Sequence, residues 1–303
     1  MHVELHPDYA DSTPGKQARE LISACVHCGF CLATCPTYLA TRDERDSPRG
    51  RIYLVKQLLE TGEASGRTHR HLDRCLTCRS CETTCPSGVE YGQLVDIGRD
   101  LMEQRVPRPL PQRGLRWLLR RGLAQPRLFG AGLRLGQWLR PLLPARVRRQ
   151  IPARQLAGAV PTLQRERRML LLQGCVQQAA TPATNGSARR VFDRLGITLQ
   201  PAPGAGCCGA VNYHLAAHAD GLDDMRRNID AWWPQLEAGA EAIVSSATGC
   251  GSMLRDYGRL LAHDRAYADK ARRVSELARD IGEVLLGEDL GKLDINRTAG
   301  RIA

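Results

Sequence analysis

Apolar residues recur at helical spacing through Ile52, Leu54, Val55, Leu58 and Leu59, between Ser47-Pro48 and Thr61-Gly62. Serine as N-cap, proline at the first helical position and glycine just past the end bound a helix there. A second helix is predicted over Tyr91–Gln104, with Leu94, Ile97, Leu101 and Met102 turned inward. After Arg168 the period changes. Met169-Leu-Leu-Leu172 reads as a short buried strand ending at Gly174-Cys175, and Ala188 to Leu195 as a helix. Ile197-Thr-Leu199 is a second strand, running through Pro201 into Gly206-Cys207-Cys208-Gly209. Helical pattern follows through Met225, Ile229, Trp232 and Leu236. Ala242-Ile-Val244 is a third strand, ending in Thr248-Gly249-Cys250-Gly251 before a helix around Leu254 to Leu261. This alternation predicts a parallel sheet with helical crossovers.

The fold expected is α+β overall. An N-terminal α-helical domain (1–105) precedes an Arg-, Pro- and Leu-rich connector with short helices (106–165), a C-terminal α/β domain (166–290) and a polar tail (291–303). At 303 residues the chain is long enough for about two cores. No apolar run approaches the 18 or so residues of a membrane span. Met1 to Lys16 has neither a basic start nor an apolar centre, so no secretory signal is expected.

Charge is concentrated in the connector. Between Gln104 and Arg165 there are 14 arginines and no Asp, Glu or Lys, more than the chain's net +11. Leucines and Trp117 and Trp138 alternate with them, a pattern that suits an anionic membrane surface, an acidic protein face or a solvated strap. Nucleic acid is not expected, because no nucleic-acid fold signature accompanies the arginines.

Eight of the twelve cysteines form two copies of one spacing, Cys25-x2-Cys28-x2-Cys31-x3-Cys35-Pro36 and Cys75-x2-Cys78-x2-Cys81-x3-Cys85-Pro86. That spacing belongs to paired [4Fe–4S] clusters, in which the fourth Cys of each run ligates the other cluster. Cys25, Cys28, Cys31 and Cys85 are therefore expected to hold one cube, and Cys75, Cys78, Cys81 and Cys35 the other. Eight ligands for two cubes leave no iron open to substrate, so the domain should carry electrons rather than make bonds. Structural zinc uses paired knuckles separated by a finger, and disulfides need an oxidising compartment; neither suits the pattern.

The remaining cysteines, Cys175, Cys207, Cys208 and Cys250, all fall just past predicted strand ends, where open α/β sheets place their ligand sites. They form a candidate third metal site, for a further iron–sulfur cluster or another metal; adjacent Cys207 and Cys208 suit thiolate bridging. Buried apolar thiols or a redox disulfide are the alternatives. Gly204-Ala-Gly-Cys-Cys-Gly209 matches a dinucleotide fingerprint but follows the second strand, not the first. His214 and His218 read as an ordinary helix face before additional ligands, and His27 as solvated surface.

Longer stretches resemble a known family. Cys25-Val-His-Cys-Gly-Phe-Cys-Leu-Ala-Thr-Cys-Pro-Thr-Tyr38, Ser47-Pro-Arg-Gly-Arg-Ile-Tyr53, Ala205-Gly-Cys-Cys-Gly-Ala-Val211 and Asn228-Ile-Asp-Ala-Trp-Trp-Pro234 are similar to the iron–sulfur subunit of bacterial glycolate oxidase, a likeness reaching to about Ile295. The resemblance implies an electron-transfer subunit without substrate chemistry of its own. Its partners would be FAD-binding subunits that oxidise glycolate to glyoxylate, and its acceptor a membrane quinone or other respiratory carrier. The complex would be cytoplasmic and peripheral on the inner membrane. Subunits of lactate or glycerol 3-phosphate dehydrogenases are the alternative. Two departures stand out. Related modules end in Cys-x2-Cys, but Ala247 occupies the first of those positions, and a second Cys-Cys-Gly module expected after the first is not contained in this sequence, which reads as a shortened member.

Overall fold

A computed structural model describes residues 1–293, so the predicted polar tail lies, apart from its first three residues, outside the described residues. The chain divides into two compact units, Met1–Arg116 with His214–Ala216, and Trp117–Tyr213 with the residues from Ala217 onward.

The first unit is helical: α1 (Thr13–Ser23), α2 (Pro48–Thr61), α3 (Gly66–Asp73) and α4 (Tyr91–Arg105), with single turns at Cys31–Thr34, Pro36–Thr41 and Ser80–Thr83. The ends of α2 follow from its residues. Ser47 Oγ accepts the Gly50 N–H at 2.8 Å, and Gly62, at φ 69°, donates its N–H to Leu58 O at 2.9 Å. Gly50 has no substitute there, since a Cβ would run into the Glu44 carbonyl. Val55, Leu58 and Leu59 of α2 pack with Leu94, Val95, Leu101 and Met102 of α4 and Ile22 of α1 in one core. Each such side chain, fully buried, is worth about 1.5–3 kcal/mol. Ile97 is only half-buried.

The connector differs from its expected form. Beside the short helical turns expected, at Arg140–Leu142 and Ala145–Gln150, it contains two longer helices, α5 (Leu110–Ala124) and α6 (Pro126–Leu139), of 15 and 14 residues. The break between the units falls at Arg116/Trp117, inside α5. No residue of either helix is buried. Along α6 and the turn after it, Leu128, Leu135, Trp138 and Leu142 are 56, 57, 75 and 82 % exposed. Several arginines are nonetheless structural. Buried Arg108 donates to both carboxylate oxygens of Asp73, at 2.6 and 2.9 Å, and pairs with Glu103, while Arg116 reaches Asp73 at 3.4 Å. In the second unit Arg120 pairs with Asp220 at 2.5 Å.

The second unit carries β1 (Arg167–Leu172), α7 (Pro182–Arg194), β2 (Ile197–Gln200), α8 (His218–Glu237), β3 (Ile243–Ser245), α9 (Thr248–Leu260), α10 (Ala268–Leu277) and β4 (Ala278–Asp280). The sheet order is β2-β1-β3-β4, all parallel, with Met169 opposite Leu199 and Leu171 opposite Val244. Alternate residues of β1 point to opposite faces. Leu170 and Leu172 join Ile229, Trp232 and Tyr257 on one side; Met169 and Leu171 join Phe192 and Leu195 on the other. Burial on both faces explains the unbroken apolar run of β1. Strand β4 has no counterpart among the predicted strands, because Ala278-Arg-Asp280 is three residues long and only Ala278 is buried.

Candidate metal centres

In the first unit each cysteine run leaves its first two ligand positions on an irregular loop and places its third on a single helical turn. The two loops share an unusual backbone: His27 and Thr77, at equivalent positions, have φ of 62° and 53°, and Gly29 and Arg79 have φ of 86° and 58°. Left-handed residues curl the chain tightly enough to turn successive cysteines inward. Three of these four are not glycine, a strain of the kind that concentrates at functional sites.

The loops enclose two cavities. One is lined by Cys25, Cys28, Cys31 and Cys85, with Ile52 and Val89 as apolar wall. The other is lined by Cys35, Cys75, Cys78 and Cys81, with Arg51 and Tyr91. Cys81 and Tyr91 also border the first, so the cavities share a wall. Each therefore takes its fourth cysteine from the opposite repeat. All eight are free thiols. Burial pushes the Cys31 and Cys81 thiols up, so ionisation there calls for a compensating cation. Groups that suit sulfur anions surround them: the Thr77 N–H and Tyr91 O–H face Cys75 Sγ at 3.4 and 3.7 Å, and the Val89 N–H faces Cys85 Sγ at 3.5 Å.

Spacing tells a cube from a single ion. Four thiolates around one zinc at 2.3 Å would lie about 3.8 Å from one another. Among the described residues the group of three or more ligand atoms within 4.8 Å of one another is Asp43, Asp46 and His71, and it contains no cysteine. No three cysteine thiols among the described residues meet the spacing that one zinc would ask of four. The Asp–His group is itself neutralised, Asp43 by Arg45 at 2.8 Å and buried Asp46 by Arg74 at 2.6 Å. His27 is exposed, as expected.

In the second unit Cys175 follows β1, Cys207 and Cys208 lie in the loop after β2, and Cys250 sits in the first turn of α9 after β3. The sheet brings all four together. All four are free thiols, and Cys207 interacts with Cys175 and Cys208, and Cys208 with Cys250. The Cys175 and Cys208 thiols, then the Gly209 N–H and the Arg227 charge, pull Cys207 below the ordinary thiol range. Gly209 has φ 89°, and a Cβ there would meet Gly221 O at 2.8 Å.

A polar clamp holds this loop. Fully buried Asn228 accepts the Gly206 N–H at 2.7 Å and donates to Cys207 O at 2.7 Å, while the Tyr257 hydroxyl donates to Cys208 O at 2.9 Å. The sequence pattern assigns neither of these two a role. The available signal for Asn228 is its place on the same helical face as Met225, Ile229 and Trp232, all buried. His214 and His218 join no ligand group among the described residues; the His218 ring stacks on Tyr213 with centroids 4.2 Å apart. The dinucleotide-like glycines of the same loop serve the cysteines' backbone.

Comparison with known proteins identifies the families of the two units. Residues 21–89 match the family described as 4Fe-4S dicluster domain, and residues 169–255 the family described as Cysteine-rich domain. The chain is 54 % identical to the glycolate oxidase iron-sulfur subunit of Escherichia coli (strain K12), over 97 % of its own length and 73 % of the relative's. It is 30 % identical to the probable glycolate oxidase iron-sulfur subunit of Bacillus subtilis (strain 168), over 89 % of its length and 67 % of the relative's. With one subunit of the dihydromethanophenazine:CoB–CoM heterodisulfide reductase of Methanosarcina barkeri the identity is 24 %, over 80 % of this chain and 59 % of that one. No solved structure matches the chain significantly. An N-terminal dicluster unit joined to a parallel-sheet cysteine-rich unit, with this degree of identity over nearly its whole length, places the chain in the family of glycolate oxidase iron–sulfur subunits.

Proposed function

We propose that this chain conducts electrons from FAD-binding subunits, which oxidise glycolate to glyoxylate, to a membrane quinone or other respiratory acceptor, with no substrate chemistry of its own. The observation that carries the reading is the pair of adjoining cavities, lined by free thiols drawn from both cysteine runs, with Cys81 common to the two. Cys25, Cys28, Cys31 and Cys85 would hold one [4Fe–4S] cluster and Cys75, Cys78, Cys81 and Cys35 the other. Bound there, such clusters accept and release single electrons. The protein's part is to keep them close: Cys81 and Tyr91 border both sites, and Ile52 and Val89 give the first an apolar wall. Cys175, Cys207, Cys208 and Cys250 would hold a further iron–sulfur cluster or another metal, each as a thiolate.

In this reading residues 1–105 form the cluster domain, 106–165 a docking connector and 166–290 the third-site domain. The exposed apolar row of α6 and a cleft lined by Arg127, Arg134 and Arg154, without an acidic group, support attachment to an anionic surface at the cytoplasmic face of the membrane. Among the described residues no helix is long and apolar enough to cross one. A subunit of a lactate dehydrogenase is the second reading; the lactate utilization protein A of Bacillus licheniformis is 32 % identical over 33 % of this chain. Purification with its partners decides between them. Flavin in the complex and glycolate-dependent dye reduction support the first; reduction with lactate but not glycolate overturns it.

A further inference from the structure

The two cysteine cavities differ in the charge that faces them. Arg49, beside the first, donates from Nε to Glu44 at 2.8 Å and keeps 28 % of its side chain in solvent. Its charge is paired and screened. Arg51, in the wall of the second, is 1 % exposed. Its Nε donates to His71 O at 2.7 Å and its Nη2 to Thr37 Oγ1 at 3.1 Å, but Nη1 is buried without an acceptor among the described residues. The nearby carboxylate of Asp46, 3.8 Å from Arg51, is already shared by Arg74 at 2.6 Å and His71 at 2.8 Å. Arg99, 6 % exposed and 3.7 Å from Asp96, adds a second cation behind the same loop, donating to Cys75 O at 2.8 Å.

A buried guanidinium with an unused N–H is costly unless negative charge stands opposite. Four thiolates around an iron–sulfur cube provide it, and reduction makes that set one unit more negative. A fixed buried cation therefore favours the reduced state, and net charge, hydrogen bonds to sulfur and solvent exposure are what set such potentials. We propose that Arg51 holds the reduction potential of the Cys75, Cys78, Cys81 and Cys35 site above that of the Cys25, Cys28, Cys31 and Cys85 site. The inference rests on the two-cluster reading. One electron then passes from the first site to the second, oxidising one and reducing the other with no proton moved, and leaves the domain from the second. A reduced flavin supplies it and a quinone-class carrier takes it up.

Redox titration of the anaerobic full chain, followed by electron paramagnetic resonance, tests this. Cys85→Ser and Cys35→Ser assign the two signals, and the higher potential should belong to the second site. Arg51→Gln should lower that potential alone by at least a tenfold change in the reduction equilibrium, 59 mV for a one-electron couple. Arg51→Lys, which retains the charge without the planar fork, should keep the parent order. A higher potential at the first site, equal shifts at both, or an Arg51→Gln protein that titrates like the parent with both cubes intact overturns the proposal. Should the glutamine variant lose the second cube, the lysine variant decides: an inverted order overturns the charge argument. A parent chain with fewer than eight cluster irons removes the two-cluster reading and the proposal with it, whereas intact cubes with unmoved potentials remove the proposal alone.

Discussion

At the scale of the residue, the centres depend on a few atoms with definite partners. Cys35 lies in the cavity of Cys75, Cys78 and Cys81, 40 residues away along the chain for Cys75. Cys35→Ser should therefore damage that cluster and spare the one at Cys25, Cys28 and Cys31, leaving about four of eight irons; spectra showing loss of the Cys25 cluster alone would reverse the assignment. Asn228→Ala leaves the Gly206 N–H without its partner and Cys207 O with only the Arg227 guanidinium at 3.4 Å, a loss of about 1–3 kcal/mol. Denaturant unfolding should register it, and metal bound at Cys207 should be released before the N-terminal iron. An unchanged midpoint with full third-site metal would mean that the clamp is dispensable.

Elements position these residues through their ends. Helix α2 begins where Ser47 caps Gly50, and its first turn carries both Arg49 and Arg51 to the cavities. Ser47→Ala should cost about 1 kcal/mol of stability, with Ser47→Thr recovering most of it in the same unfolding measurement. Helix α6 presents a different case. Its apolar row is exposed, and Arg127 and Arg134 line the adjoining cleft, whereas Arg108, Arg116 and Arg120 hold carboxylates within their own units. The docking test thus belongs on α6. Arg127→Glu with Arg134→Glu should weaken vesicle or partner attachment at low salt, and Trp138→Ala at high salt, because exposed charges are screened over about 8 Å at 0.15 M. Iron content should not change in either; sedimentation with anionic vesicles equal to the parent's would leave α6 a solvated strap.

On the scale of the whole molecule, two metal-binding architectures share one chain, and their metals should separate. Anaerobic protein should contain about eight iron and eight sulfide from two four-iron cubes, plus third-site metal. Cys207→Ser with Cys208→Ser should remove only the latter; unchanged total metal in that variant, with its thiols otherwise titratable, would leave those cysteines structural. Much of this was legible along the chain, because local geometry ties spacing to structure. Three thiols in seven residues followed by Cys-Pro, a Ser-Pro start with a Gly stop, and apolar triplets between helical periods are each set by neighbours a few bonds apart. Those features determined the two cysteine loops, α2, α4 and the parallel β1, β2 and β3 by themselves. Folding decided the rest, since it concerns groups brought together across 20 to 100 residues by packing: Cys85 beside Cys25, Asn228 beneath Cys207, Arg120 on Asp220. The contrast between Arg49 and Arg51 shows the reason most plainly. Two residues apart and chemically identical, they differ only because one side chain stays partly in solvent with Glu44 and the other is buried in the wall of the second cavity, where water screens its charge far less.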